Sequence, residues 1–156
     1  MITATFDIVL LNKRLDRASR RDVYYATQIS GVSHHEKRQS SRDGGFHSES
    51  ETHKIRIPIE ATVEGGKSYL NEAYYDALSD NEIQKHWTIH NEDLIILCAS
   101  KIENIDTPFT DGYLTWEQAE ALAGRIGLNR EIIRVVEYAD NTLRGSTTKH
   151  WWIGGA

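Results

Sequence analysis

Lys149-His150-Trp151-Trp152-Ile153-Gly154-Gly155 (KHWWIGG) is the stretch on which the fold turns. It reads as an aromatic strand built into the folded body. Chain ends fray unless something ties them down, and docking as a strand in a sheet is one such tie. Neighbouring residues of a strand face opposite sides. Trp151 and Trp152 therefore leave two possibilities: a sheet covered on both faces, or one Trp presented to a partner. Exposed Trp is enriched at interface hot spots. A second Trp-centred strand lies upstream, in His86 to Ile95 (HWTIHNEDLI).

Working outward, residues 2–11 (ITATFDIVLL) alternate, with Ile2, Ala4, Phe6 and Ile8 on one face, as in a half-buried strand. Asn12 to Asp22 is basic and short, and fits either a loop or one or two helical turns. Val23 to Val32 is rich in aromatic and branched residues and reads as a strand. His53 to Val63 alternates again, with Ile55, Ile57 and Ile59 on one face. Pro58 has no N–H to donate, so its strand is expected at an edge there. Between these strands, Ser33 to Thr52 is polar, carries Gly44-Gly45, and has Phe46 as its one large apolar residue. This predicts a long hairpin whose tip is an extended, flexible loop over 33–52. A loop of that length inside a compact domain is unusual and often functional.

Lys67 to Leu78 fits a strand or a short helix. Ser79-Asp80-Asn81-Glu82 has the capping-box pattern S-x-x-E and predicts a short helix to about Trp87. Trp87 to Ser100 reads as a strand pair, or one strand kinked at Asn91-Glu92-Asp93. Residues 103–112 read as loop. Thr115 to Gln118 is a second capping box, opening an Ala-rich helix over 116–123 that stops near Gly124 or Gly127. Glu131 to Ala139 and Thr148 to Ile153 read as strands. The pattern predicts one domain over residues 1–156, α+β but mainly β: a small β-barrel or sandwich with five to seven strands, two short helices and a long projecting hairpin loop.

The 156 residues suffice for a packed core without staples. A single cysteine, Cys98, excludes an intramolecular disulfide, and its apolar setting marks it as a small core residue. A reducing compartment, or a particle assembled inside a cell, fits that usage. No run of residues approaches a membrane span, and the start of the sequence lacks the basic region of a signal peptide. Expected, then, is a soluble protein, intracellular at synthesis, with no membrane partner. The net charge of −5 argues against wholesale electrostatic binding of DNA.

His34, His35, His47 and His53 lie in or beside the polar excursion, but their spacing matches no ligand motif, and a loop without Cys gives neither the geometry nor the rigidity a metal needs. Neither a metal nor a cofactor is expected. No serine sits in a nucleophile elbow, and Glu92-Asp93 reads as a turn rather than an acid/base couple. The glycine pairs form no phosphate cradle. These readings point away from an enzyme, with no catalytic residues. The basic segment carries Lys13, Arg14, Arg17, Arg20 and Arg21; arginines suit bidentate contacts to carboxylates or phosphates. Lys37, Arg38 and Arg42, with Lys54 and Arg56, add a second set offset by Glu36, Asp43, Glu49 and Glu51, and this mixed charge favours a protein interface or a wet channel. The cations of the basic segment, with Lys37, Arg38, Arg42, Phe46, Trp151 and Trp152, are the candidate interface residues.

The opening block ITATFDIVLLNKRLDRASRRDVYYATQISGVSHHE, the KIRIPI strand after a polar excursion, HWTIHNEDLII and the ending HWWIGGA together resemble a family of small phage and prophage proteins of Gram-positive hosts. In size and order of elements that family is similar to head-completion proteins, the stoppers of the head–tail connector. The resemblance implies a structural virion protein that forms a homo-oligomeric ring in the virion neck and is assembled in the host cytoplasm. It implies portal or adaptor and tail proteins as partners, packaged DNA nearby, and Ser33 to Thr52 as the projecting loop. Another minor virion or tail-joining protein, or a small nucleic-acid-binding β-barrel module, are the alternatives.

Overall fold

The computed structural model describes residues 5–43, 46–98, 113–127, 131–142 and 149–156, and of residues 37–43 and 46–51 the backbone alone. The strands are β1 (Phe6–Asp16), β2 (Arg21–Asp43), β3 (Phe46–Pro58), β4 (Thr62–Val63), β5 (Ser68–Tyr69), β6 (His86–Trp87), β7 (Leu94–Leu97), β8 (Ile133–Asp140) and β9 (His150–Gly155). The α-helices are α1 (Glu72–Asp76) and α2 (Trp116–Ile126). Among the described residues, six strands close on themselves in the order β1-β2-β3-β9-β8-β7, every pairing antiparallel. Two three-stranded meanders, β1-β2-β3 and β7-β8-β9, are thus joined at both edges. Closure removes the exposed edges that an open sheet would leave.

Period-2 alternation fills the barrel. Ile8 and Leu10 of β1, Ile55 and Ile57 of β3, Ile95 and Leu97 of β7 and Ile153 of β9 point inward with Trp151. Trp87 and Ile89, from the segment that returns after β5, complete this core. The rings of Trp87 and Trp151 meet edge to face at 4.8 Å between centroids, and Tyr69 packs on both. The opposite face of the β1–β7 pair is covered as well. Val9, Leu11, Leu94 and Ile96 meet Ala119, Leu122 and Ala123 of α2. β1 is therefore buried on both faces from Ile8 to Leu11, which the half-buried reading missed. The capping box at α2 is present: Thr115 Oγ1 accepts from the Gln118 N–H and the Gln118 side chain accepts from the Thr115 N–H.

Several elements differ from the sequence expectation. The basic segment is a loop only over residues 17–20, and the rest of it is strand. β1 continues through Asp16 and β2 resumes at Arg21, with Asp16↔Arg21 the last pair of the hairpin. Asp16 closes the turn by accepting from the Ser19 hydroxyl at 2.8 Å and the Arg20 N–H at its carbonyl, also 2.8 Å. Ser79 to Glu82 starts no α-helix. Its backbone closes turns to Glu82 and Ile83, Ile83–Lys85 is a 3-10 turn, and the chain then leaves to pair β6 with β5. The short helix lies earlier, at α1, where Asn71 accepts from the Tyr74 N–H. Ile59 falls out of the Ile55–Ile57 face and is half exposed, because the chain turns after Pro58. Residues 103–112, Gly44-Gly45, Ile2, Ala4, Ser100 and Thr148 lie outside the described residues.

The largest correction concerns residues 33–52. They are not a structureless loop: the backbones of β2 and β3 pair in unbroken register from Ser33↔Arg56 to Asp43↔Phe46. The hairpin expectation holds. Backbone pairing asks nothing of side-chain polarity, and Asp43-Gly44-Gly45 is a two-residue-turn signal. Gly31 makes the transition between barrel and ribbon. Phe6 pairs with Val32 and Asp7 with Ser30, so Gly31 is an extra residue, a bulge, with φ +87°. Only glycine adopts that conformation without strain, and a bulge bends and twists its strand.

Candidate functional site

Three features stand out on this frame: a ribbon that leaves the barrel, a basic hairpin beside a groove, and a buried carboxylate that ties the groove to the barrel.

The ribbon loses its neighbours on both sides. The β1 ladder ends at Phe6↔Val32, and the β9 ladder begins at His53↔Gly155. Outside those points β2 and β3 pair with each other alone among the described residues. At the root, His34 Nε2 and His53 Nδ1 lie 3.0 Å apart with their rings stacked, and Phe6 packs edge-on against His34. Such a contact needs one nitrogen bearing a proton and one bare. Burial, and then the His53 imidazole, hold the His34 pKa below its ordinary value. Lys37, Arg38, Arg42 and Phe46 stand on the ribbon; their side chains lie outside the described residues.

Among the basic residues of the β1–β2 hairpin, two are engaged internally. Lys13 Nζ pairs with Glu92 at 3.0 Å and Asp22 at 3.6 Å. The Glu92 hydrogen bond leads the effects that raise its pKa, against the cost of burial. Arg14 donates to the Leu78 carbonyl at 2.8 Å and lies 3.3 Å from Asp80. These contacts hold the 71–93 excursion against the hairpin. Arg17, Arg20 and Arg21 are exposed at its tip, beside Leu15, whose apolar side chain is 60% exposed. The groove between hairpin and excursion has a volume of about 1240 Å3, and its basic Lys13, Arg14, Arg17 and His90 stand among Asp16, Asp22, Asp76 and Asp80. That compensation leaves little net field for a charged small ligand.

Asp93, fully buried, is the hub the sequence reading missed. Its carboxylate accepts from Asn12 Nδ2, the Lys13 N–H and the His90 N–H, each at 2.8 Å, and from His90 Nδ1 at 3.2 Å. Asn12, also fully buried, donates a second bond to the Thr88 carbonyl. The other ring nitrogen of His90 reaches Asp76 of α1 at 2.8 Å. Burial would lower the His90 pKa, but its hydrogen bonds and charges with Asp93 and Asp76 outweigh this and raise it to about 9. An imidazolium donating to a carboxylate at each end is not a general base at neutral pH. It is a tie between α1 and the barrel. A signal for this hub was present: Asn12 continues the inward positions Ile8 and Leu10 at the strand period.

Two further groups have shifted pKa values with structural causes. The Lys67 amine donates to the Ala26 carbonyl at 2.8 Å and to Thr27 Oγ1 at 3.2 Å, and burial lowers its pKa to about 8. Burial pushes the Cys98 thiol up to about 11, so it stays protonated in the layer under α2. Among the described residues no three His, Cys, Asp or Glu side chains converge as for a metal ion, and no helix is long and apolar enough to cross a membrane. Trp151 faces the barrel core, while Trp152, on the other face, stays half-buried.

The fold is thus a closed antiparallel barrel with a projecting two-stranded ribbon. The chain belongs to a family of unknown function, DUF6751, whose model matches residues 2–156. No curated protein and no solved structure matches it.

Proposed function

We propose that this chain is a structural subunit of a tailed phage or phage-derived particle: a head–tail connector of the head-closure, stopper-like kind, forming a ring between portal or adaptor and tail. The observation that carries this reading is the ribbon. The barrel closes through the first rungs alone, Ser33 to Glu36 against His53 to Arg56, yet β2 and β3 continue about 23 Å past them as two strands. An isolated hairpin is marginal in water, so a ribbon of this length needs something to lie against. A subunit that orders its neighbours through a projecting element is what a connector ring requires, and the exposed arginines of the β1–β2 tip offer a second contact, to an acidic protein surface. Its place of work is the neck of the virion, reached after assembly in the host cytoplasm.

Mass spectrometry of purified particles, followed by a cryo-electron microscopy map of the neck, tests this. A ring of copies between portal and tail is expected. Particles that lack the protein, or carry it in the tail tip or head shell, would overturn the proposal. A soluble protein that binds DNA with steep salt dependence would favour the nucleic-acid module instead.

A further inference from the structure

The two edges of the ribbon are unlike. Among the described residues, β2 from Ser33 to Asp43 and β3 from Phe46 to Thr52 pair only with each other, with no register shift between them. The β2 limb carries Lys37, Arg38 and Arg42 against Glu36 and Asp43 and is net basic. The β3 limb carries Glu49 and Glu51 and no Lys or Arg before Lys54. Folded proteins blunt long open edges with proline, bulges or cover. Residues 33–52 have no proline, and the ladder has no bulge. What remains is charge, and charge of opposite sign on the two edges blocks an edge from pairing with its own kind while inviting the other.

We infer that copies of this chain associate head to tail through the ribbon, the net-basic β2 edge of one copy adding to the acidic β3 edge of the next. The inference rests on the connector reading and names its ring contact. β2 and β3 run antiparallel within one ribbon. Copies related by rotation about an axis along the ribbon keep their strand directions, so β2 of one copy lies antiparallel to β3 of the next. Successive ribbons then form one continuous antiparallel sheet in which net charge alternates from strand to strand. Backbone hydrogen bonds supply the affinity, as in other strand additions, over about 23 Å of shared edge from Phe46 to Thr52. A two-fold dimer would set β2 against β2 or β3 against β3, like charge on like. The contact is therefore heterologous, and heterologous contacts form a ring where the rotation closes.

The test is native mass spectrometry with sedimentation on the full chain and on two variants, Lys37→Glu/Arg38→Glu/Arg42→Glu and Glu49→Lys/Glu51→Lys. Circular dichroism and melting confirm that each is folded. The wild type assembles beyond the dimer as concentration rises. Each variant alone carries two edges of one sign, and its association weakens by about tenfold or more. An equimolar mixture of the two assembles again, with alternating copies. A wild type that stays monomeric, a symmetric dimer as the end state, a variant that assembles like the wild type, or a mixture that fails to assemble would each overturn the ribbon contact. The connector reading stands or falls separately, on whether the protein is found in the particle neck.

Discussion

Within the single strand β2, the residues before Gly31 and those after it are held in different ways. From Val23 to Ile29 the strand is paired on the β1 side and packed into a core, and most of its side chains are lost to water. From Ser33 it keeps its ladder to β3, with His34 at the root still packed against Phe6 and His53, and beyond Glu36 the described ladder is to β3 alone. Backbone pairing alone contributes little net stability in water, because each bond replaces one to solvent. Burial of apolar surface contributes about 1.5–3 kcal/mol per large side chain. The barrel is therefore the stable body and the ribbon an element whose order depends on what it touches.

The sharpest way to break this comparison is to attack the barrel at the buried carboxylate of Asp93. Asp93→Ala leaves the Asn12 amide, the Lys13 and His90 N–H groups and the His90 ring without their acceptor. A loss of about 3–5 kcal/mol is expected, read from urea unfolding. An effect below about 1 kcal/mol would show that the hub does not hold the barrel. Next come the adjacent tryptophans. Trp151→Ala empties the site against Trp87 and Tyr69 and should cost about 3–5 kcal/mol. Trp152→Ala, on the outer face, should cost about 1 kcal/mol or less in the isolated chain. Equal costs would mean that the outer face is as well packed as the core.

The tie at His90 adds a pH dependence. Its imidazole titrates at 6.5 when unfolded and at about 9 when folded. The raised value means that its contribution is whole below pH 6.5 and is lost as the pH rises through 9. About 2 kcal/mol should disappear over that window, since Asp76 is exposed and screened. His90→Gln should flatten the profile of melting temperature against pH; an unchanged slope would assign the dependence elsewhere. The smallest expected effect is the most telling for the comparison. Replacing residues 37–51 by a two-residue turn should change the stability of the isolated chain by less than about 0.5 kcal/mol. A large loss would mean that the ribbon is part of the body after all.

Most strands were legible because burial imposes a period of two. Ile8 and Leu10, Ile55 and Ile57, and the Trp151–Ile153 pair announce themselves through that alternation. The Thr115–Gln118 cap was legible because its chemistry is local. The His90–Asp93–Asn12 network was not. Its members lie as far as 81 positions apart, and each in isolation looks like an ordinary turn or strand residue. The ribbon was read as loop because residues 33–52 lack the apolar period that marks a strand, although backbone pairing needs none.

By itself, the sequence determined a mainly β domain, the inward face of its strands, the α2 cap and the apolar setting of Cys98, since each of these follows from neighbours a few positions apart. Tertiary structure alone decided that the sheet closes into a barrel, that β1 is covered on both faces, that Asp93 binds the excursion to β1, and that β2 runs on past the Gly31 bulge as a ribbon with β3. Those outcomes depend on which distant strands meet, and the free energy of that meeting lies in contacts between segments, which no single segment carries.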